Sequence, residues 1–124
     1  MKRDWNLIET ILTKVEKGHL LSWVGNEEYK KHSVVEDDLL GHIEILLDAG
    51  LLKNGIVKRG GDGEICQYDL RGIYISMQGH DILDALRDKP VWDRIKSKAQ
   101  KAAVSISWEF IKAAIPVVMR EILD

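Results

Sequence analysis

Local sources of chemistry are scarce in this chain. It has one cysteine, Cys66, in 124 residues, so no internal disulfide can form, and a lone thiol is ordinary in reducing compartments. A cytoplasmic setting is therefore expected. No apolar run reaches spanning length: the most apolar stretch, Ala113 to Met119, is bounded by Lys112 and Arg120 and contains Pro116, which excludes a transmembrane segment. The start, Met1-Lys2-Arg3-Asp4-Trp5, leads into a charged amphipathic pattern instead of an apolar signal core, which argues against secretion. From Glu36 to Gly50 there is no Lys or Arg, against five acids, Glu36, Asp37, Asp38, Glu44 and Asp48. That absence bears most directly on function, because a DNA-reading surface must neutralise phosphates and released counterions supply most of its affinity.

Catalytic and metal-binding constellations are missing as well. Gly60-Gly61-Asp62-Gly63 lacks the downstream Lys-Ser/Thr of a phosphate-binding loop and sits between two extended runs. No serine lies in a nucleophile elbow. Asp37-Asp38 stands among solvated residues, where nothing would raise a carboxyl toward general-acid chemistry. His80 and Asp84 share a helical face next to Asp81, but a zinc site needs three or four convergent ligands, and His19, His32 and His42 form no such pattern. His80 is read as capping or hydrogen-bonding a buried backbone group near Gly79, where close packing would call for a glycine. No catalytic residue, metal or cofactor is expected, and the chain is not expected to be an enzyme.

What is present is a well-punctuated α+β pattern of one globular domain, 45% apolar. Trp5, Ile8, Ile11, Leu12 and Val15 recur at helical spacing over Asp4 to Lys17, with Asp4 able to cap the start and Gly18 the end. His19 to Val24 reads as a short strand or irregular core segment, and Glu27 to His32 as a loop, with Ser33 able to cap the next helix. Val35, Leu39, Ile43, Leu46 and Leu47 then fit two short helices with Gly41 as a break or close-contact point between them, a helix-turn-helix layout, closed by a left-handed cap at Gly50. The runs from Gly55 to Arg59 and from Glu64 to Leu70, joined by Gly60-Gly61-Asp62-Gly63, predict a hairpin, the candidate wing. Ile73-Tyr74-Ile75 is extended, and a helix starts near Gln78 behind Ser76. Asp88-Lys89-Pro90 restarts the chain as another helix. The last helix is placed at Ser107 to Leu123, kinked or split at Pro116, and its apolar residues cover more than one stripe, predicting burial on more than one side.

The fold expected is a winged helix-turn-helix domain with extra C-terminal helices: one domain over residues 1–124, with a core at 1–76 and a helical segment at 77–124. Three stretches together resemble a family of uncharacterised bacterial and prophage-encoded winged-helix proteins, a domain of unknown function. They are Met1-Lys2-Arg3-Asp4, the segment His42 to Leu52, and Ser76-Met77-Gln78-Gly79-His80-Asp81-Ile82-Leu83-Asp84-Ala85-Leu86-Arg87-Asp88 running on into Val91-Trp92. The resemblance covers nearly the whole chain and is loose over residues 19–35. Where relatives often have Thr before Gly-His-Asp, this chain has Ser76, which caps a helix equally well. It implies a winged-helix fold and a phage or mobile-element context, and it implies no activity. The segment His42 to Leu52 also resembles, less specifically, arsenic-repressor-type regulators.

Charge separates the functional alternatives. Residues 1–88 carry 11 Lys/Arg against 16 Asp/Glu, while residues 89–124 carry 7 against 4; a polyanion would find the last third more welcoming. The leading expectation is non-enzymatic protein binding, as a phage accessory or anti-defence factor. Either the acidic face of Glu36, Asp37, Asp38, Glu44 and Asp48 or the apolar last helix with Trp108 and Ile115 would meet a partner or a second copy. The alternative is a dimeric DNA-binding transcriptional regulator, using Lys30, Lys31, His42, Lys53, Lys58 and Arg59 against the duplex.

Overall fold

A computed structural model describes residues 2–123; Met1, which opens the first motif, and Asp124 lie outside the described residues. The chain divides into two compact units, residues 1–80 and 81–124.

The first unit starts with α1 (Trp5–Glu16), whose apolar stripe of Leu7, Ile8, Ile11, Leu12 and Val15 is buried. The Asp4 carboxylate caps it, accepting from the backbone N–H of Asn6 at 3.0 Å and of Leu7 at 3.2 Å. Gly18, at φ +73°, closes it in the left-handed region that glycine enters without steric cost.

The next segment departs from expectation. His19 to Val24 is not extended: α2 (Leu20–Gly25) is a helix that buries Leu20, Trp23 and Val24 at i, i+3 and i+4 and leaves Leu21 49% exposed. A short apolar run is compatible with both periods, and here packing selects the helical one. The expected loop contains a 3₁₀ turn, Glu28–His32, flanked by Glu27 and Ser33 at φ +56° and +59°. The turn buries Tyr29 edge-on against Trp23, with centroids 6.0 Å apart. Because Ser33 is left-handed it does not cap the next helix, and Val35 occupies that position without a side-chain bond. Glu36, Asp37 and Asp38 fill the first turn instead, where negative charge complements the helix dipole.

That helix, α3 (Glu36–Asp48), runs unbroken through Gly41, so the expected pair of short helices is one helix, and α2 is the helix before it. Its buried side holds Leu39, Leu40, His42, Ile43 and Leu46. After Gly50, at φ +77°, β1 (Leu52–Lys53) pairs antiparallel with β4 (Tyr74–Ile75). Between them lies the hairpin of β2 (Ile56–Arg59) and β3 (Ile65–Asp69), with a register shift at Lys58/Arg59. Its tip is held by Gly60 N–H donating to the Glu64 carbonyl at 2.8 Å and by the Asp62 carboxylate accepting from Glu64 N–H at 3.0 Å.

The strand pair β1–β4 hands over to α4 (Met77–Arg87) through Ser76. Its hydroxyl donates to the Gly50 carbonyl at 2.6 Å and accepts from Gly79 N–H at 3.0 Å. Gly79 is buried against Leu51, so closely that an added Cβ would lie inside 3.0 Å of the Leu51 carbonyl oxygen. The close approach expected at Gly79 is thus present, but the role given to His80 is not. Its side chain is 48% exposed, with Nδ1 3.7 Å from the Glu16 carboxylate.

In the second unit, α5 (Lys89–Ala102) starts at Asp88, whose carboxylate accepts from Val91 N–H at 3.2 Å, with Pro90 in the first turn. It packs against α6 (Trp108–Leu123), which buries Ile111, Ala114 and Val118. The helix is not split at Pro116, and it is buried along one stripe only: Val117, Met119, Ile122 and Leu123 are 38%, 41%, 40% and 79% exposed. Glu121 joins the two helices, with Lys98 at 2.6 Å and Arg94 at 3.7 Å. Lys98 holds its carboxyl below the ordinary range. The architecture is α+β, with six α-helices and two small antiparallel sheets among the described residues.

Candidate functional site

The first unit brings two of the charged candidates together, Glu44 and Arg59, where α3 meets the hairpin. Glu44 projects toward β2 and takes Arg59 in a forked pair: Nε donates to both carboxylate oxygens at 3.0 and 3.1 Å, and Nη2 donates to Oε1 at 2.8 Å. The remaining arm, Nη1, donates to the Gly63 carbonyl at 2.7 Å. Two parallel N–H···O bonds between guanidinium and carboxylate give the most geometrically specific of surface ion pairs. Hydrogen bonding to Glu44 holds the guanidinium above its ordinary value, with Glu64 and Asp37 adding to the effect. The hairpin cation is therefore held by one carboxylate and lies in the field of two more, of which Glu64 is one that pattern alone does not select.

The expectation for His42 is corrected outright. It is 1% exposed, the one buried polar or charged side chain among the described residues, and cannot approach a nucleic acid. Its Nε2 accepts from the backbone N–H of Asp4 at 2.9 Å, which requires the proton on Nδ1, 2.6 Å from the Asp38 carbonyl. The imidazole fastens the start of α1 to the middle of α3.

The other cations are scattered. Lys30 lies 3.1 Å from Glu27, and that hydrogen bond raises its ammonium above the ordinary value. Lys31 is exposed on the 3₁₀ turn, and Lys53 and Lys58 are exposed on β1 and β2. Among the acids, Glu36, Asp37 and Asp38 are exposed in the first turn of α3 and Asp48 in its last. In the second unit Trp108 and Ile115 are half-buried on α6. Half of the eight Lys and Arg of that unit stand in these ion pairs: Asp93 takes Lys89 and Lys96, each at 3.4 Å, and Glu121 takes Lys98 and Arg94.

A groove between α3 and β2, of about 240 Å³, is lined by Glu44, Leu47, Asp48, Gly55, Ile56 and Val57. Periodicity assigns Leu47 to the core, and Ile56 and Val57 to an ordinary strand, so the sequence pattern does not mark them. Their exposed sides become visible only once the hairpin is laid beside the helix. Among the described residues no three His, Cys, Asp or Glu converge as metal ligands, and no helix is long and apolar enough to cross a membrane.

Residues 2–105 match a family described as Hypothetical protein (DUF2513). The chain belongs to that family. The matched region contains the whole α3–hairpin face and the Ser76-to-Asp88 motif, and it ends before α6. A relative from Haemophilus influenzae, described as an uncharacterized protein, is 24% identical over 131 residues covering 99% of each chain. No solved structure matches the chain.

Removing Arg59 tests how the hairpin is held in this family member. Arg59→Ala should leave the fold intact, since one exposed ion pair contributes little to global stability. It should speed amide exchange in β2 and β3 by at least severalfold relative to α1, read by hydrogen–deuterium exchange. Unchanged hairpin exchange would mean that the Glu44 clasp does not position the hairpin.

Proposed function

We propose that α2, α3 and the β2–β3 hairpin form a winged helix-turn-helix, and that its α3–hairpin face docks a protein instead of reading duplex DNA. The winged-helix part rests on the order of elements: three α-helices, then the short strand β1, then a hairpin whose first strand lies beside the third helix. Fold alone assigns no function, since such domains serve both purposes. The observation that carries the docking reading is the Glu44–Arg59 pair. A winged helix that grips DNA needs its wing cations free for phosphates, yet here the wing guanidinium is already neutralised by a carboxylate of the helix that would enter the groove. Phosphate would have to compete with Glu44 for Arg59 while facing the charges of Asp37 and Glu64. No Lys or Arg of α3 offsets this, because the helix has none. The role is non-enzymatic binding, as no acid–base or nucleophilic set accompanies the face.

Titration of mixed-sequence duplex DNA, followed by fluorescence anisotropy at low and at physiological salt, decides between docking and the regulator alternative. No saturable binding is expected even at low salt. Salt-sensitive binding that Lys58→Ala with Arg59→Ala abolishes would overturn the docking reading and establish a DNA-binding regulator.

A further inference from the structure

The groove beside α3 specifies what kind of partner side chain fits it. We infer that it receives a Lys or Arg side chain from a protein partner, with the aliphatic stem on Leu47, Ile56 and Val57 and the cationic head against Asp48. The inference rests on the docking reading and adds the chemistry of the occupant.

The groove is smaller than the roughly 300–1,000 Å³ typical of small-molecule sites, which suits one side chain. Its lining includes the apolar Leu47, Ile56 and Val57, with Ile56 50% exposed and Leu47 and Val57 half-buried. Its rim is anionic, with Glu44 and Asp48 one helical turn apart. Long cationic side chains combine an apolar stem with a charged head, so a slot of this composition is complementary to them along its whole depth.

Asp48 differs from its neighbour in what it lacks. Glu44 is occupied by Arg59, whereas Asp48 is exposed in the last turn of α3, where the carbonyl end of the helix disfavours a carboxylate; the turn itself holds no basic residue, and the cation beside that helix end is Lys53, whose ammonium lies next to Gly50. An external cation would relieve both the carboxylate and the helix terminus. Gly55 keeps the slot in shape: a Cβ there would stand 3.3 Å from both δ-carbons of Leu47 and 3.0 Å from Ile73 Cδ1.

Four of the five α5 cations are engaged within the chain, Lys89 and Lys96 with Asp93, and Lys98 and Arg94 with Glu121, so the groove is assigned to a separate protein that carries a free Lys or Arg between apolar residues, and a second copy is an outcome of the test.

The test is a heteronuclear NMR titration of the full chain with acetyl-Leu-Arg-Leu-amide, and with the same peptide carrying neutral citrulline in place of arginine. The arginine peptide should shift the amides of residues 47, 48 and 55–57 in a saturable way, at least fivefold more tightly than the citrulline peptide. Asp48→Asn and Ile56→Ser, both at exposed positions, should each weaken it at least threefold while leaving the rest of the spectrum in place. Equal binding of the two peptides, or no effect of Asp48→Asn, overturns the inference. Shifts centred on residues 36–38 and 64 overturn the groove while leaving an acidic docking face. Concentration-dependent shifts of the groove amides without peptide would assign it to a second copy and also overturn the inference. Failure of the docking reading itself looks different: it is salt-sensitive DNA binding that depends on Lys58 and Arg59.

Discussion

Gly79→Ala is expected to destabilise the first unit by about 2–4 kcal/mol, within the range for overpacking and strain at a buried site. Helix propensity predicts the opposite sign, since alanine in a helix interior is favoured over glycine by about 1 kcal/mol. The decision lies in what surrounds the position. A Cβ would fall inside 3.0 Å of the Leu51 carbonyl oxygen and 2.6 Å from Ile75 Cγ1. The oxygen cannot step aside cheaply, because it accepts from Ser76 N–H at 3.0 Å and from the Ser76 hydroxyl at 3.1 Å. Leu51 itself is 2% exposed, and its neighbour Leu52 pairs with Ile75. Inserting one methyl group therefore forces apart the seam between β1, β4 and the start of α4. The midpoint of urea unfolding, followed by a probe in the first unit, reads the effect. An unchanged or raised midpoint would mean that α4 has room to lift away from Leu51.

The parts of the fold that are legible in the sequence are those in which adjacent residues carry their own instructions. Asp4 and Gly18 bracket α1, Ser76 opens α4, Asp88 and Pro90 open α5, and a five-residue segment with three glycines, Gly60 to Glu64, joins β2 to β3. Each is a cap or turn that forms within a few residues of chain. What is not legible depends on distant partners. Leu20 to Val24 is helical because Trp23 meets Tyr29 across the Glu27 turn, and a run of that length carries no decisive period of its own. Gly41 suggests a break, yet its cost in a helix interior, about 1 kcal/mol, is small beside the apolar burial of its neighbours Leu39, Leu40 and Ile43.

The site obeys the same division. Five acids without a cation can be counted directly, but the meaning of the count cannot. Glu44 and Arg59 are 15 residues apart and meet only when the hairpin lies beside α3. Their pairing turns an expected wing cation into a structural one. Composition over-reads the apolar α6, because it counts Val117, Met119, Ile122 and Leu123 with the core, whereas only the stripe of Ile111, Ala114 and Val118 is enclosed.

His42→Ala is the sharpest test of how α3 is used, because the two readings of this residue require opposite results. If the imidazole faced solvent for contact with DNA, its removal would change stability by no more than about 0.5 kcal/mol, as surface substitutions do. Enclosed as it is, the substitution is expected to cost about 2–4 kcal/mol, combining a cavity in the core with the loss of two hydrogen bonds. The 38-residue separation between His42 and Asp4 makes this contact a tether for the first turn of α1. His42→Phe separates the two contributions, since it fills the space but leaves Asp4 N–H without its acceptor. It should lose about 1 kcal/mol, with faster exchange confined to the amides at the start of α1. Denaturant unfolding and amide exchange on both variants supply the check. Near-neutral stability of His42→Ala would return the ring to the surface and restore it as a candidate contact for nucleic acid. A large loss leaves the helix with no outward side chain able to donate to a base edge or a phosphate, because its outward polar residues, Glu36, Asp37, Asp38, Glu44 and Asp48, are all acids.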